Sequence, residues 1–149
     1  MKIFRYLIKS NKHKAMAKTV IYSPAAPEPI GPYSQGIKAG SMLFVSGQIA
    51  LQKNSGELVT GNITDETNQV MKNLGEILNA AGMNFSDIVK TTIFLKDMGN
   101  FALVNEAYGK NFPAYPPARE TVQVSRLPKD VNVEISCIAI ADSTDLQIP

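Results

Sequence analysis

Histidine, cysteine and tryptophan are almost missing from this 149-residue chain, which has one His, one Cys and no Trp. With Cys137 alone, no disulfide can close within the chain, and no C-x-x-C pair offers a zinc site. With His13 alone, a His-rich metal centre is excluded from a single chain, and a Ser-His-Asp triad would have to be built on that one residue of the basic N-terminal stretch. Chemistry, if there is any, must run on carboxylates, guanidinium groups, hydroxyls, backbone and water. A long apolar run is also lacking. The only N-terminal one, residues 3–8, is interrupted by Arg5 and is too short for a secretory core or a membrane span.

Charge of one sign is absent only locally. Residues 1–18 hold Lys2, Arg5, Lys9, Lys12, Lys14 and Lys18 and no acid. The rest carries nine basic against thirteen acidic residues, a balance of −4 beneath an overall +2. A mildly acidic domain tracks phosphates poorly, which disfavours nucleic acid as a partner. The basic stretch has two readings. It has the acid-poor character of a transit peptide but favours Lys over Arg and Ser, and Met16-Ala17-Lys18 would itself make a normal start. We read residues 1–17 as an extension, 18–141 as one domain and 142–149 as a tail. The compartment expected is the cytoplasm, or the mitochondrion if 1–17 is a targeting segment.

What is present is an ordinary globular composition, 44% hydrophobic and 19% charged, long enough to bury a core without staples. Residues 22–33 hold four prolines and read as an extended loop. Residues 35–39 and 42–46 flank Gly40-Ser41 as a hairpin. Thr64 is the expected N-cap of a helix whose Val70, Leu74, Ile77, Leu78 and Ala81 recur at helical spacing up to Gly82. Residues 88–95 are β-branched and predict a buried strand, and 101–112 a second amphipathic helix stopped by the following prolines. Residues 120–125 and 131–141 read as a last hairpin across Leu127-Pro128-Lys129-Asp130. The expected order is β-β-α-β-α-β-β, an α+β layer with helices on one sheet face and edges to be covered by assembly.

Pairing those last two strands face to face would bring Arg119 and Thr121 onto one side with Glu134, and set Cys137 on the opposite, apolar side. The bland meaning is a cross-strand ion pair. The functional one has Arg119 gripping a substrate carboxylate while Glu134 handles a proton or a water. Tyr33 could simply cover a sheet edge, Ser46-Gly47 could be a bulge, and Asn105 an exposed helix residue.

Four segments in order resemble the RidA/YjgF family: Gly31-Pro32-Tyr33-Ser34-Gln35, Phe44-Val45-Ser46-Gly47-Gln48, Ile88-Val89-Lys90-Thr91-Thr92, and Pro117-Ala118-Arg119 with Leu127-Pro128-Lys129 and Val133-Glu134-Ile135. The resemblance spans residues 18–141. It implies a chorismate-mutase-like mixed sheet with two helices, a homotrimer with clefts between subunits, and no cofactor. It implies hydrolysis of enamines and imines such as 2-aminoacrylate and 2-iminobutanoate to 2-keto acids and ammonia. Such imines are released by pyridoxal-phosphate-dependent serine and threonine dehydratases. By the same resemblance Arg119 binds the carboxylate, Glu134 activates water, and Tyr33, Ser46, Gly47 and Asn105 line the cleft, Asn105 from a neighbouring chain. Where some members carry a reactive cysteine, this chain has Thr121. A keto-acid-binding regulatory module, an endoribonuclease or a chaperone-like protein are the alternatives.

Overall fold

The computed structural model describes residues 17–141, so all but Ala17 of the N-terminal extension, and the C-terminal tail, lie outside the described residues. Six strands form one mixed sheet: β1 (Lys18–Ile21), β2 (Gly36–Ala39), β3 (Met42–Gln48), β4 (Ile88–Leu95), β5 (Ala118–Gln123) and β6 (Val133–Ile140). Their spatial order is β1-β2-β3-β6-β4-β5. Helices α1 (Ile63–Ala80) and α2 (Phe101–Gly109) pack against each other, with α1 lying across β3 and β6. This is the expected α+β layer with its helices on one face. β1 was not anticipated; its short, exposed KTVI segment carries no buried alternation to announce it.

α1 forms because its apolar positions fall on one stripe. Val70, Leu74, Ile77 and Leu78 are fully buried, and each such side chain contributes about 1.5–3 kcal/mol. Its N-cap is Asn62, not Thr64: the Asn62 side chain accepts from Asp65 N at 2.9 Å, two residues ahead of the expected start. The end is as the sequence predicts. Gly82 sits at φ 72°, its N–H donates to Asn79 O, and Met83 N donates to Leu78 O, which closes a Schellman cap. α2 stops at Gly109, short of Phe112, whose ring nevertheless packs on Tyr108 at 4.7 Å.

The last two strands correct the expected hairpin. β5 pairs with β4 in parallel, Thr91 opposite Arg119, whereas β6 runs antiparallel between β3 and β4. The physical reason is in their compositions. β5 (ARETVQ) is polar and largely exposed, which suits an edge; β6 (VEISCIAI) alternates fully and partly buried residues, which suits a centre. The α2 crossover lets β5 return parallel to β4, and β6 then fills the gap between two parallel strands joined through α1.

Parity changes with the pairing. Arg119, Thr91 and Cys137 stand in one row, so all three, together with Thr121, lie on the helix-covered face. Glu134 pairs with Phe94 and lies on the other face with Ser136, Ile138 and Ile140. Arg119 and Glu134 are therefore not cross-strand neighbours, and Cys137 is not on the face opposite Arg119. The open face also presents Val20, Met42, Phe44 and Val122, all exposed. Nothing within the described residues covers it.

Candidate active site between two half-sites

The first half-site is built on a bulge. Val45 pairs with Cys137 and Gln48 with Ile135, so Ser46 and Gly47 of β3 stand opposite the single Ser136 of β6. Gly47 is required there: a Cβ on it would lie 1.9 Å from Glu134 Oε1 and 2.8 Å from its Cδ. The glutamate carboxyl lies directly on the glycine backbone. Ser46 joins the neighbouring loop to the bulge, its hydroxyl donating to Ser34 O at 2.7 Å and its N–H to Gln35 O at 3.0 Å. Buried Gln35 then binds Ser23 and Pro27, which orders the proline-rich segment carrying Tyr33. Tyr33 Oη accepts from Ile30 N at 3.2 Å.

Tyr33, Ser46, Gly47 and Glu134 line one cavity of about 260 Å³, with Ile30, Ile49 and Pro128. Its walls are mostly apolar. Burial alone pushes the Glu134 carboxyl above the usual carboxylate range, because nothing there compensates its charge. No ion pair or hydrogen bond among the described residues engages it.

The second half-site belongs to Arg119. Asn105, Tyr108, Gly109, Phe112, Pro116, Pro117 and Arg119 line a cavity of about 460 Å³. The guanidinium lies 5.2 Å from the Tyr108 ring centroid and 5.7 Å from that of Phe101, and its Nη1 donates to Asn105 Oδ1 at 2.5 Å, so Asn105 stands beside Arg119 of its own chain, where the resemblance implies a neighbouring one. Tyr108 is itself held by a 2.8 Å bond to buried Thr91, and burial raises its phenol above the ordinary value. No carboxylate among the described residues pairs with Arg119. An unpaired guanidinium on an aromatic shelf, beside a prepositioned amide, is fitted to a planar anion such as a carboxylate.

Sequence reasoning sets Phe101 and Tyr108 on one side of the second helix without connecting either ring to Arg119. Thr121 shares the face of Arg119, as the strand alternation predicts. Its hydroxyl is the one buried side-chain polar atom without a hydrogen-bond partner among the described residues. Cys137 is buried in the core, its thiol pushed up to about 12 by burial. Among the described residues no group of three or more His, Cys, Asp or Glu is placed to hold a metal ion. No helix among them is long and apolar enough to cross a membrane.

The two half-sites do not meet within one chain. Arg119 stands opposite Thr91 and Glu134 opposite Phe94, three residues along β4, about 10 Å. They also flank β4 on different sides and point to opposite faces. A small substrate cannot touch both in one copy.

A mixed sheet with two helices on one face and an uncovered apolar face defines the class, a small α+β protein whose candidate site residues fall in two separate cavities. The comparisons narrow it. A family model described as endoribonuclease L-PSP matches residues 23–141. A RutC family protein of Pyrococcus horikoshii is 53% identical over 122 residues, 82% of this chain and 97% of the relative. The mouse 2-iminobutanoate/2-iminopropanoate deaminase is 45% identical over 126 residues, 85% of this chain and 93% of the relative. The crystal structure of E. coli TdcF with bound serine matches with a TM-score of 0.79 at 41% identity, over 83% of this chain and 98% of that one. The chain belongs to this endoribonuclease L-PSP family, the RidA/YjgF family of the sequence resemblance.

Proposed function

We propose that the protein is an enamine/imine deaminase that hydrolyses 2-aminoacrylate, 2-iminobutanoate and related imines to 2-keto acids and ammonia. One observation carries the reading: an unpaired guanidinium and an unpaired, desolvated carboxylate stand on opposite faces of one chain. A second copy can bring the Glu134 cavity of one chain against the Arg119 cavity of the next. The uncovered apolar face supplies the driving force for that assembly, and a closed homotrimer places every half-site against its complement. Three composite sites result.

Arg119 holds the substrate carboxylate bidentately on the Phe101–Tyr108 shelf, and Asn105 orients the guanidinium. The enamine takes a proton at carbon and gives one up from nitrogen to become the imine, whose carbon is electrophilic. Glu134 accepts a proton from the water attacking that carbon, and its raised pKa makes it an effective base. Glu134 passes that proton to the nitrogen to give the carbinolamine, then carries the hydroxyl proton to the same nitrogen, so that the C–N bond breaks, ammonia leaves and the hydroxyl oxygen becomes the ketone. Gly47 lets the carboxyl approach its backbone, Ser46 fixes the bulge, and Tyr33 walls the cavity. No cofactor enters the scheme. The mouse relative's name supports this reaction.

RNA cleavage has less support, because the −4 balance of residues 19–149 opposes phosphate binding. The reading includes supply of substrate by a pyridoxal-phosphate-dependent dehydratase. It also places the 18–141 domain in the cytoplasm, unless residues 1–17 direct it to the mitochondrion. The test is a coupled assay of threonine dehydratase with serine or threonine, following imine decay with and without this protein. Faster decay is expected. An unchanged decay at stoichiometric protein, with keto-acid binding intact, would turn the reading to a regulatory module.

A further inference from the structure

A buried carboxylate outside both half-sites is unexplained by the proposed chemistry. Glu66, in the first turn of α1, is 1% exposed and makes no ion pair among the described residues. Taking such a group out of water is costly, and a core position is filled more cheaply by an apolar residue. What compensates it is one residue. Glu66 Oε1 accepts from Asn132 N at 2.7 Å and Oε2 from Asn132 Nδ2 at 2.8 Å.

Asn132 sits at a mechanical junction. On one side is the turn Pro128–Asp130, in which Lys129 and Asp130 are held at φ 54° and 58°. Two consecutive non-glycine residues in the left-handed region persist only where their surroundings over-determine them. Buried Leu127 and Val131 anchor the turn, and Lys96 pairs with Asp130 at 3.0 Å. On the other side β6 begins, and Asn132 O accepts from Lys96 N at 3.0 Å. Two residues further on stands Glu134, and Pro128 of the same turn lines its cavity.

We propose that Glu66 is a positioning residue for the Glu134 half-site: by gripping Asn132 with both oxygens it fixes the strained turn, and so holds Pro128 and Glu134 in register around the cavity. The proposal rests on the reading of Glu134 as the water-activating group. It links the first turn of α1 to the catalytic end of β6 across the core.

The experiment compares three variants of the assembled protein. Glu66→Met removes both acceptors and strands two partly buried donors. Asn132→Ala removes only the side-chain donor and keeps the backbone contact. Glu66→Gln preserves both bonds, because the Asn132 amide can turn to offer its oxygen to the glutamine nitrogen. For imine hydrolysis, kcat is expected to fall about tenfold in Glu66→Met and about threefold in Asn132→Ala, with KM within about twofold because Arg119 is untouched. Glu66→Gln should stay within about twofold of wild type in kcat. A second readout does not depend on turnover. In NMR titration of 13C-labelled glutamate, the Glu134 midpoint should drop toward the ordinary carboxylate range in Asn132→Ala, as water enters the loosened cavity, and should hold in Glu66→Gln.

If Glu66→Met does not fold, Asn132→Ala decides alone. Lower melting temperatures with unchanged kcat and an unchanged Glu134 midpoint overturn the proposal, leaving Glu66 a purely structural clamp. If the wild-type protein hydrolyses no imine and the midpoint still moves in Asn132→Ala, the deaminase reading falls while the positioning role stands.

Discussion

Replacing Gly47 by alanine tests the Glu134 half-site with a single methyl group. Its Cβ would stand 1.9 Å from Glu134 Oε1 and 3.0 Å from Cγ. To restore even a tight contact, Oε1 must retreat by about 1.1 Å or more. Glu134 is only half-buried and can swing toward the open sheet face, so the fold absorbs the change. Overpacking of this kind costs about 1–3 kcal/mol, a drop of several degrees in Tm. Catalysis does not absorb it. A base displaced by about 1 Å loses roughly 10²-fold in kcat. Keto-acid binding through Arg119 should survive, which separates a misplaced base from a lost site. The control is Gly61→Ala, where an added Cβ meets nothing within 4 Å, and its turnover should match wild type. The assay is the coupled imine decay, alongside thermal melting and calorimetry with 2-ketobutyrate. Wild-type kcat in folded, assembled Gly47→Ala would refute the assignment of Glu134 as the base.

Four further outcomes are expected. Arg119→Ala should abolish both keto-acid binding and turnover, whereas Glu134→Gln should keep or strengthen binding while hydrolysis falls; equal losses in calorimetry would contradict the division of roles. Because burial raises the Glu134 pKa in the fold, the group stabilises most when protonated, below its unfolded pKa, and that contribution is lost as pH rises through the higher folded value. Glu134→Gln should thus melt higher than wild type at neutral pH, with the gap closing in acid; a lower Tm at neutral pH would show that the carboxylate has a stabilising partner. Cys137→Ser should lower stability but leave activity per folded protein intact, and native Cys137 should resist alkylation, its thiol being buried and pushed up to about 12. Sedimentation at micromolar concentration should give a trimer; a stable monomer would remove the composite site.

Local signals were legible in the sequence wherever one element decides its own structure. The stripe Val70, Leu74, Ile77, Leu78 and the terminal Gly82 define α1 without help from the sheet. Ser46-Gly47 reads as a bulge or as a site segment, and it is a bulge whose glycine makes room for Glu134. Strand partnership was not legible, because it is decided between elements. Residues 120–125 and 131–141 are adjacent in sequence, and adjacency favours a hairpin. The exposed polarity of β5 and the burial of β6 on both faces outweigh it. From that one error followed the wrong face for Arg119 and Thr121; Cys137 lies on the buried apolar face opposite Glu134, as the alternation of its own strand predicts. The candidate residues come from their motifs; their placement in two separate cavities needed the observed register. Glu66 was readable only as a helix-dipole charge, since its partner Asn132 lies 66 residues away.

Mixing two disabled chains tests most directly whether a site is shared between copies. Arg119→Ala keeps Glu134, and Glu134→Gln keeps Arg119. Each variant alone should be nearly inactive. In trimers assembled from equal amounts of both, an interface regains function when an intact Glu134 cavity meets an intact Arg119 cavity, as about one interface in four will. The prediction is recovery to about a quarter of wild-type turnover in the co-refolded mixture. Mixed trimers, verified by mass, that stay as inactive as the separate variants would contradict a site completed by a neighbouring copy.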